Sequence, residues 1–166
     1  MTSTYLIRIR NFILVAIIQV LIFSQIHLFG YATACVYLLF ILKMPRLTSR
    51  NELLVWAFLL GLTVDIFSNT PGLNAAAATA MAFARNMVLS SFLQKVTSDN
   101  FVPSVRTLNW GGYICYTLIC ILLFYLLLFL LEMFTVGYPL QLIISISSST
   151  LLTMLFVLVI EFFTRN

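Results

Sequence analysis

The stretch "GLTVDIFSNTPGLNAAAATAMAFARN", residues 61–86, places one acid and one base, Asp65 and Arg85, on either side of a Pro-Gly break in an otherwise apolar sequence. So few residues separate the apolar runs around the break that two helices there must fold back as an antiparallel hairpin. Thr70 and Pro71 offer an N-cap and a first helical turn for the second helix.

Composition identifies the solvent around this hairpin. Of 166 residues, 62% are hydrophobic and 8% charged, the mean hydropathy is +1.08, and an ordinary soluble domain is about 25% charged. The surroundings are therefore lipid, and neither a water-filled catalytic cleft nor nucleic-acid binding is expected. Cys35, Cys115 and Cys120 lie in apolar runs with no CxxC pair, so they read as small hydrophobes, not as a disulfide framework or metal site. The amino-terminal run lacks an A-x-A-like cleavage site and reads as an uncleaved first span.

Residues 11–44 would make a single helix about 51 Å long, far beyond the roughly 30 Å hydrocarbon core, so this run must also fold back. Phe29-Gly30 is the natural turn and Pro45 the stop. The expected architecture is an all-α membrane protein, a single domain of six transmembrane helices at about 11–28, 31–44, 52–68, 71–93, 110–134 and 140–163. Arg8 and Arg10, then Lys43, Arg46 and Arg50, then Lys95 and Arg106, then Arg165 fall on alternate connections. The positive-inside rule then puts both termini in the cytoplasm.

Helical spacing places Ala57, Gly61, Asp65 and Ser68 on one face of the third span, and Asn74, Ala78, Ala82 and Arg85 on one face of the fourth. Small side chains in such rows allow close backbone approach or reception of a partner helix. At 1.5 Å per residue, Asp65 lies about 5 Å below the external turn and Arg85 about 18 Å, which disfavours a direct pair. Asp65 is expected to accept hydrogen bonds from Ser68, Asn69, Thr70 or the N–H groups that open the next helix, fixing the hairpin. Gly61, Asp65, Ser68, Thr70, Pro71, Gly72, Asn74 and Arg85 are the candidate hairpin-fixing or partner-binding residues.

Gln19 and the run "SISSST" at 145–150 read as interhelical hydrogen-bonding groups. His27 reads as a solvated or backbone-bonded imidazole near the external boundary. With one His, and neither HExxH nor GxSxG, no nucleophile and base or metal-ligand set emerges, and no enzyme activity, metal or cofactor is expected.

Gly61, Leu62, Asp65, Pro71, Gly72 and Ala75, together with the chain length, the six spans and the basic loop after the second span, resemble the rod shape-determining protein MreD family. The turn reads Pro71-Gly72-Leu73 where family members often read P-L-G. The resemblance implies a multi-pass component of the bacterial inner membrane. It also implies a role in the cell-elongation machinery, with an MreC-type scaffold, an MreB-type filament and the peptidoglycan glycosyltransferase and transpeptidase pair as partners. Topology alone explains the basic segments at 43–50 and 95–106, which could also touch anionic membrane lipid or the cytoplasmic filament protein. The family is similar in fold to the substrate-binding membrane subunits of energy-coupling-factor vitamin transporters, so a solute-binding subunit is the alternative reading. The short external turns favour the interaction protein, because a solute binder needs a concave pocket with placed polar contacts.

Overall fold

The computed structural model describes residues 2–23, 27–28, 32–70, 72–92, 101–133 and 139–165. Helix α1 (Thr2–Ile18) continues through a wider π-helical turn at Gln19–Phe23. Two-residue strands β1 (His27–Leu28) and β2 (Ala32–Thr33) follow, then α2 (Leu38–Leu42), α3 (Arg50–Ser68), α4 (Leu73–Phe92), α5 (Val105–Met133) and α6 (Pro139–Arg165). Three helices among the described residues, Arg50–Ser68, Val105–Glu132 and Ile143–Thr164, are long and apolar enough to cross a membrane. The chain is a helical membrane protein, and among the described residues the only strands are the two-residue β1 and β2, paired antiparallel.

The expected helix over 31–44 is corrected by the structure. Among the described residues of this run only Leu38–Leu42 is α-helical, and the chain before it is a short strand, then two residues of irregular backbone and a turn. Extended chain rises about 3.3 Å per residue against about 1.5 Å in a helix, so the unwound half of the segment reaches further than a helix of the same number of residues would.

Irregular backbone away from water needs protein partners, since no solvent satisfies its N–H and C=O groups. Those partners come from three helices. Gln19 donates Nε2 to the Ala34 carbonyl at 2.9 Å and accepts from Tyr37 N–H at 3.3 Å. Thr33 N–H reaches Ser149 Oγ at 3.1 Å. Tyr125 donates its hydroxyl to the Thr33 carbonyl at 2.6 Å, and Cys35 N–H lies 3.1 Å from that hydroxyl and 3.2 Å from Thr153 Oγ1. The interhelical role expected of Gln19 and of the hydroxyls at 145–150 is thus corrected for Gln19 and Ser149: both bond the backbone of the unwound segment.

Helix α3 opens with Ser49 accepting from Glu52 N–H at 3.3 Å and ends at Asn69, whose left-handed backbone (φ 54°) turns its N–H onto the Asp65 carbonyl. Asparagine suits that position because it tolerates positive φ better than most side chains. The buried face of α3, Leu53, Ala57, Leu60, Gly61, Val64 and Asp65, packs on α4, whose buried residues Asn74, Ala75, Ala77, Ala78, Met81, Ala82, Arg85 and Leu89 lie between α3 and the tyrosine-rich α5. Helix α5 is broken at Asn109 (φ 60°, ψ 165°), so its unbroken run starts at Trp110.

Charged contacts gather at one end of the bundle. Arg8 pairs with Glu52, Lys43 lies 2.6 Å from Glu161, Arg46 N–H bonds the Phe101 carbonyl at 3.1 Å, and Glu161 also accepts from Val105 N–H at 3.3 Å and the Tyr113 hydroxyl at 3.4 Å. Four connections that the sequence assigns to one membrane face therefore touch one another.

Candidate functional site

Asp65 is buried at the junction of α3 and α4. Its Oδ1 accepts from the Thr70 hydroxyl at 2.6 Å and from both the backbone N–H and the side-chain amide of Asn74 at 3.0 Å. Oδ2 accepts from Ala75 N–H at 2.8 Å. A carboxylate at the carboxyl end of α3 is disfavoured by that helix's dipole, but here it faces the opening N–H groups of α4, where an anion is stabilised. The cost at one helix end is offset at the next. The Asp65 backbone carbonyl completes the turn by accepting from Asn69 and Thr70.

Close approach makes this geometry possible. A Cβ added at Gly61 would lie 2.5 Å from Ala75 Cα and 2.7 Å from the Asn74 carbonyl oxygen, distances no side chain can occupy. Glycine here lets α3 and α4 touch backbone to backbone, which brings Asp65 within reach of the α4 amides. Gly72 adopts a left-handed φ of 77° and bonds the Thr70 carbonyl through its N–H at 2.8 Å. Pro71 lies outside the described residues.

The structure brings Gly61, Asp65, Thr70, Gly72 and Asn74 together and separates two other candidates from them. Ser68 is exposed beside Asn69 and makes no bond to Asp65 among those described. Arg85 is fully buried about three turns further along α4. Its Nη2 donates to the carbonyls of Leu42 (3.2 Å) and Met44, Nε to the Tyr116 hydroxyl at 3.0 Å, and Nη1 to Asn86 at 3.2 Å. Tyr116 itself donates to the Leu42 carbonyl at 3.2 Å.

Arg85 thus serves the carboxyl end of α2, where a short helix leaves unpaired carbonyls and the negative end of its dipole. At the other end of α2, the Tyr37 hydroxyl donates to Asn74 Oδ1 at 3.3 Å. Asn74 and Arg85, one at each end of α4's buried stripe, hold the two ends of α2. The polar stripe is consumed inside the fold: among the described residues every buried side-chain nitrogen and oxygen has a partner.

Sequence reading passed over Tyr37, Tyr116, Tyr125 and Thr153. The available signal was the short span at 31–44, too short as a helix, together with tyrosines in the middle of the fifth span. Among the described residues no three His, Cys, Asp or Glu side chains converge as metal ligands. Cys35 and Cys120 are buried, and Cys115 is exposed. The side chain of His27 lies outside the described residues.

The junction presents the last turn of α3 outward. Ile66 and Phe67 are 70% and 64% exposed, next to exposed Ser68 and Asn69, at the end of a helix that Asp65 ties to its neighbour. No protein-family model matches the chain, and neither a curated protein nor a solved structure matches it.

Proposed function

We propose that the chain is a non-enzymatic inner-membrane adaptor of the bacterial cell-elongation machinery, of the MreD type, which holds an MreC-type bitopic scaffold. In this reading it crosses the membrane six times with both termini in the cytoplasm. The second crossing is the partly unwound segment ending at Met44. Support for this arrangement comes from the alternating basic connections and from the contacts that join Arg8 to Glu52 and Lys43 to Glu161 at one end of the bundle.

The observation that carries the adaptor reading is the hairpin itself. Asp65, Gly61 and Asn74 fix its conformation from within, while Ile66, Phe67, Ser68 and Asn69 remain on the surface at the external end. A rigid, partly apolar tip contributes contact area with little entropy lost on binding. The scaffold's juxtamembrane segment is the proposed occupant. The small residues of α3 and α4 are buried where α3 meets α4 and α4 meets α5, so the contact surface proposed is the exposed tip.

Photocrosslinkers placed at Ser68 and Asn69 in growing cells test the proposal. A scaffold adduct at these sites, absent from a crosslinker at the lipid-facing position Leu59, is expected. Adducts at Leu59 and Ser68 of equal yield, or co-purification of a stoichiometric small solute with no scaffold, would count against it.

A further inference from the structure

The outward side of α3 and α4 holds an open groove of about 500 Å³, lined by Leu54 and Phe58 from α3 and by Ala76, Thr79, Ala80 and Phe83 from α4. Ala76 and Ala80 are exposed and one turn apart, so they form a low floor between the larger side chains. Arg50, exposed at the start of α3 and one turn before Leu54, stands at one end of this groove. Its guanidinium carbon lies 4.0 Å from the centroid of the Phe83 ring.

This arrangement pairs a cation with an apolar channel. The carboxylates of Glu52 and Glu161 are engaged by Arg8 and Lys43, and that of Asp65 by α4 amides, so none of the three neutralises Arg50. A guanidinium stacked on a ring keeps its N–H edge open, and that edge matches two phosphate oxygens at once. Arg50 also lies at the end of the bundle where Lys43 and Arg46 begin their contacts, and basic positions at a membrane surface attract anionic headgroups.

We infer that this groove binds one anionic phospholipid, with the headgroup phosphate on Arg50 and an acyl chain lying over Ala80 and Ala76. A transmembrane helix of another protein could use the small floor as well, but only an anionic phospholipid brings a phosphate and an acyl chain together at the membrane surface, matching the guanidinium at one end of the groove and its apolar lining. Charge complementarity therefore selects the lipid. The site is separate from the exposed hairpin tip, so its occupancy does not depend on scaffold capture there.

The test uses the purified full chain in detergent, titrated with phosphatidylglycerol or phosphatidylethanolamine of matched acyl chains and read by native mass spectrometry. Wild type is expected to hold phosphatidylglycerol roughly tenfold more tightly than Arg50→Gln, the size of one charge-assisted contact. Ala80→Leu, which fills the floor from an exposed position, is expected to lose the lipid while keeping the wild-type melting temperature. Equal retention by wild type and both variants overturns the site, and equal binding of the two lipids by wild type overturns its anionic specificity. A photocrosslinker at Thr79 in membranes should yield a lipid adduct; a polypeptide adduct in its place overturns the choice of occupant.

Discussion

Arg85 and Leu42 meet across the interior of the bundle, the guanidinium Nη2 donating to the Leu42 carbonyl at 3.2 Å. A buried charge in a membrane protein normally marks a pathway or a partner. Here it completes a helix of five residues. Removing it strands the carbonyls of Leu42 and Met44 in a place with no water, and each lost bond to a charged group costs about 1.5–3 kcal/mol. Arg85→Ala is expected to lower stability by on the order of 3 kcal/mol or more. Tyr116→Phe, which loses one neutral donor, should cost about 1 kcal/mol. Because both side chains bond Leu42 and each other, the double variant should be less destabilised than the two single losses combined. Thermal unfolding in detergent of the four proteins checks this, and strict additivity would argue that the contacts are independent.

Gly61 sets the separation of α3 and α4. Gly61→Ala puts a methyl group against the Ala75 backbone, which cannot give way as a flexible side chain would. Overpacking of this kind costs about 1–3 kcal/mol, and it should also loosen the Asp65 bonds by pushing the helices apart. The melting temperature in detergent should fall, and amide exchange at Asn74 and Ala75 should quicken. An unchanged melt would mean that the helices do not approach so closely.

Asp65 is read most directly through substitution order. Asparagine keeps one acceptor oxygen of the two, whereas alanine leaves the Asn74 and Ala75 N–H groups and the Thr70 hydroxyl without their acceptor. Loss of a helix-capping side chain costs about 0.5–2 kcal/mol. Stability should rank wild type above Asp65→Asn, and Asp65→Asn above Asp65→Ala. Hydrogen exchange localised to the start of α4 would show whether the loss is at the cap or global.

Tyr125 supports the unwound segment through the Thr33 carbonyl and Cys35 N–H. Tyr125→Phe should cost about 1 kcal/mol and make the buried Cys35 thiol react faster with a small membrane-permeant reagent. Cys115, already exposed, should label at an unchanged rate and serves as the internal control. Thr153→Val should act in the same direction, since Thr153 Oγ1 lies 2.6 Å from the Tyr125 hydroxyl and 3.2 Å from Cys35 N–H. No change in Cys35 labelling for either variant would remove these hydroxyls from the support of residues 33–35.

Much of the architecture follows from local features. The hairpin at Asp65 is legible because a helix end and a Pro-Gly break fall within a few residues. The expected cap is corrected: α4 opens at Leu73, and Asp65, not Thr70, accepts from its first N–H groups while Thr70 donates to Asp65. The unbroken part of the fifth helix starts at Trp110, where the polar segment before it ends, and helical spacing puts Ala57, Gly61 and Asp65 on the buried face of α3, though not Ser68, which is exposed. Small residues at Gly61, Ala75, Ala78 and Ala82 likewise announce close packing, although the pattern does not say whether the partner belongs to the same chain.

The region at 31–44 behaves differently. Apolar composition is the same for a helix and for an extended segment, so the sequence "YATACVYLLF" by itself determined that these residues leave water but not how their backbone is satisfied there. That choice rests on Gln19, Tyr125, Ser149 and Thr153, which come from α1 and its π turn, α5 and α6 and meet residues 33–37 only when the bundle is assembled. Arg85 belongs to the same class. Its position in an apolar helix fixed that it must be paired, whereas the identity of the partner, a pair of backbone carbonyls 41 and 43 residues earlier, was decided by the tertiary structure. Unpaired backbone groups have no signature in side-chain sequence, and only packing brings them to the cation that satisfies them.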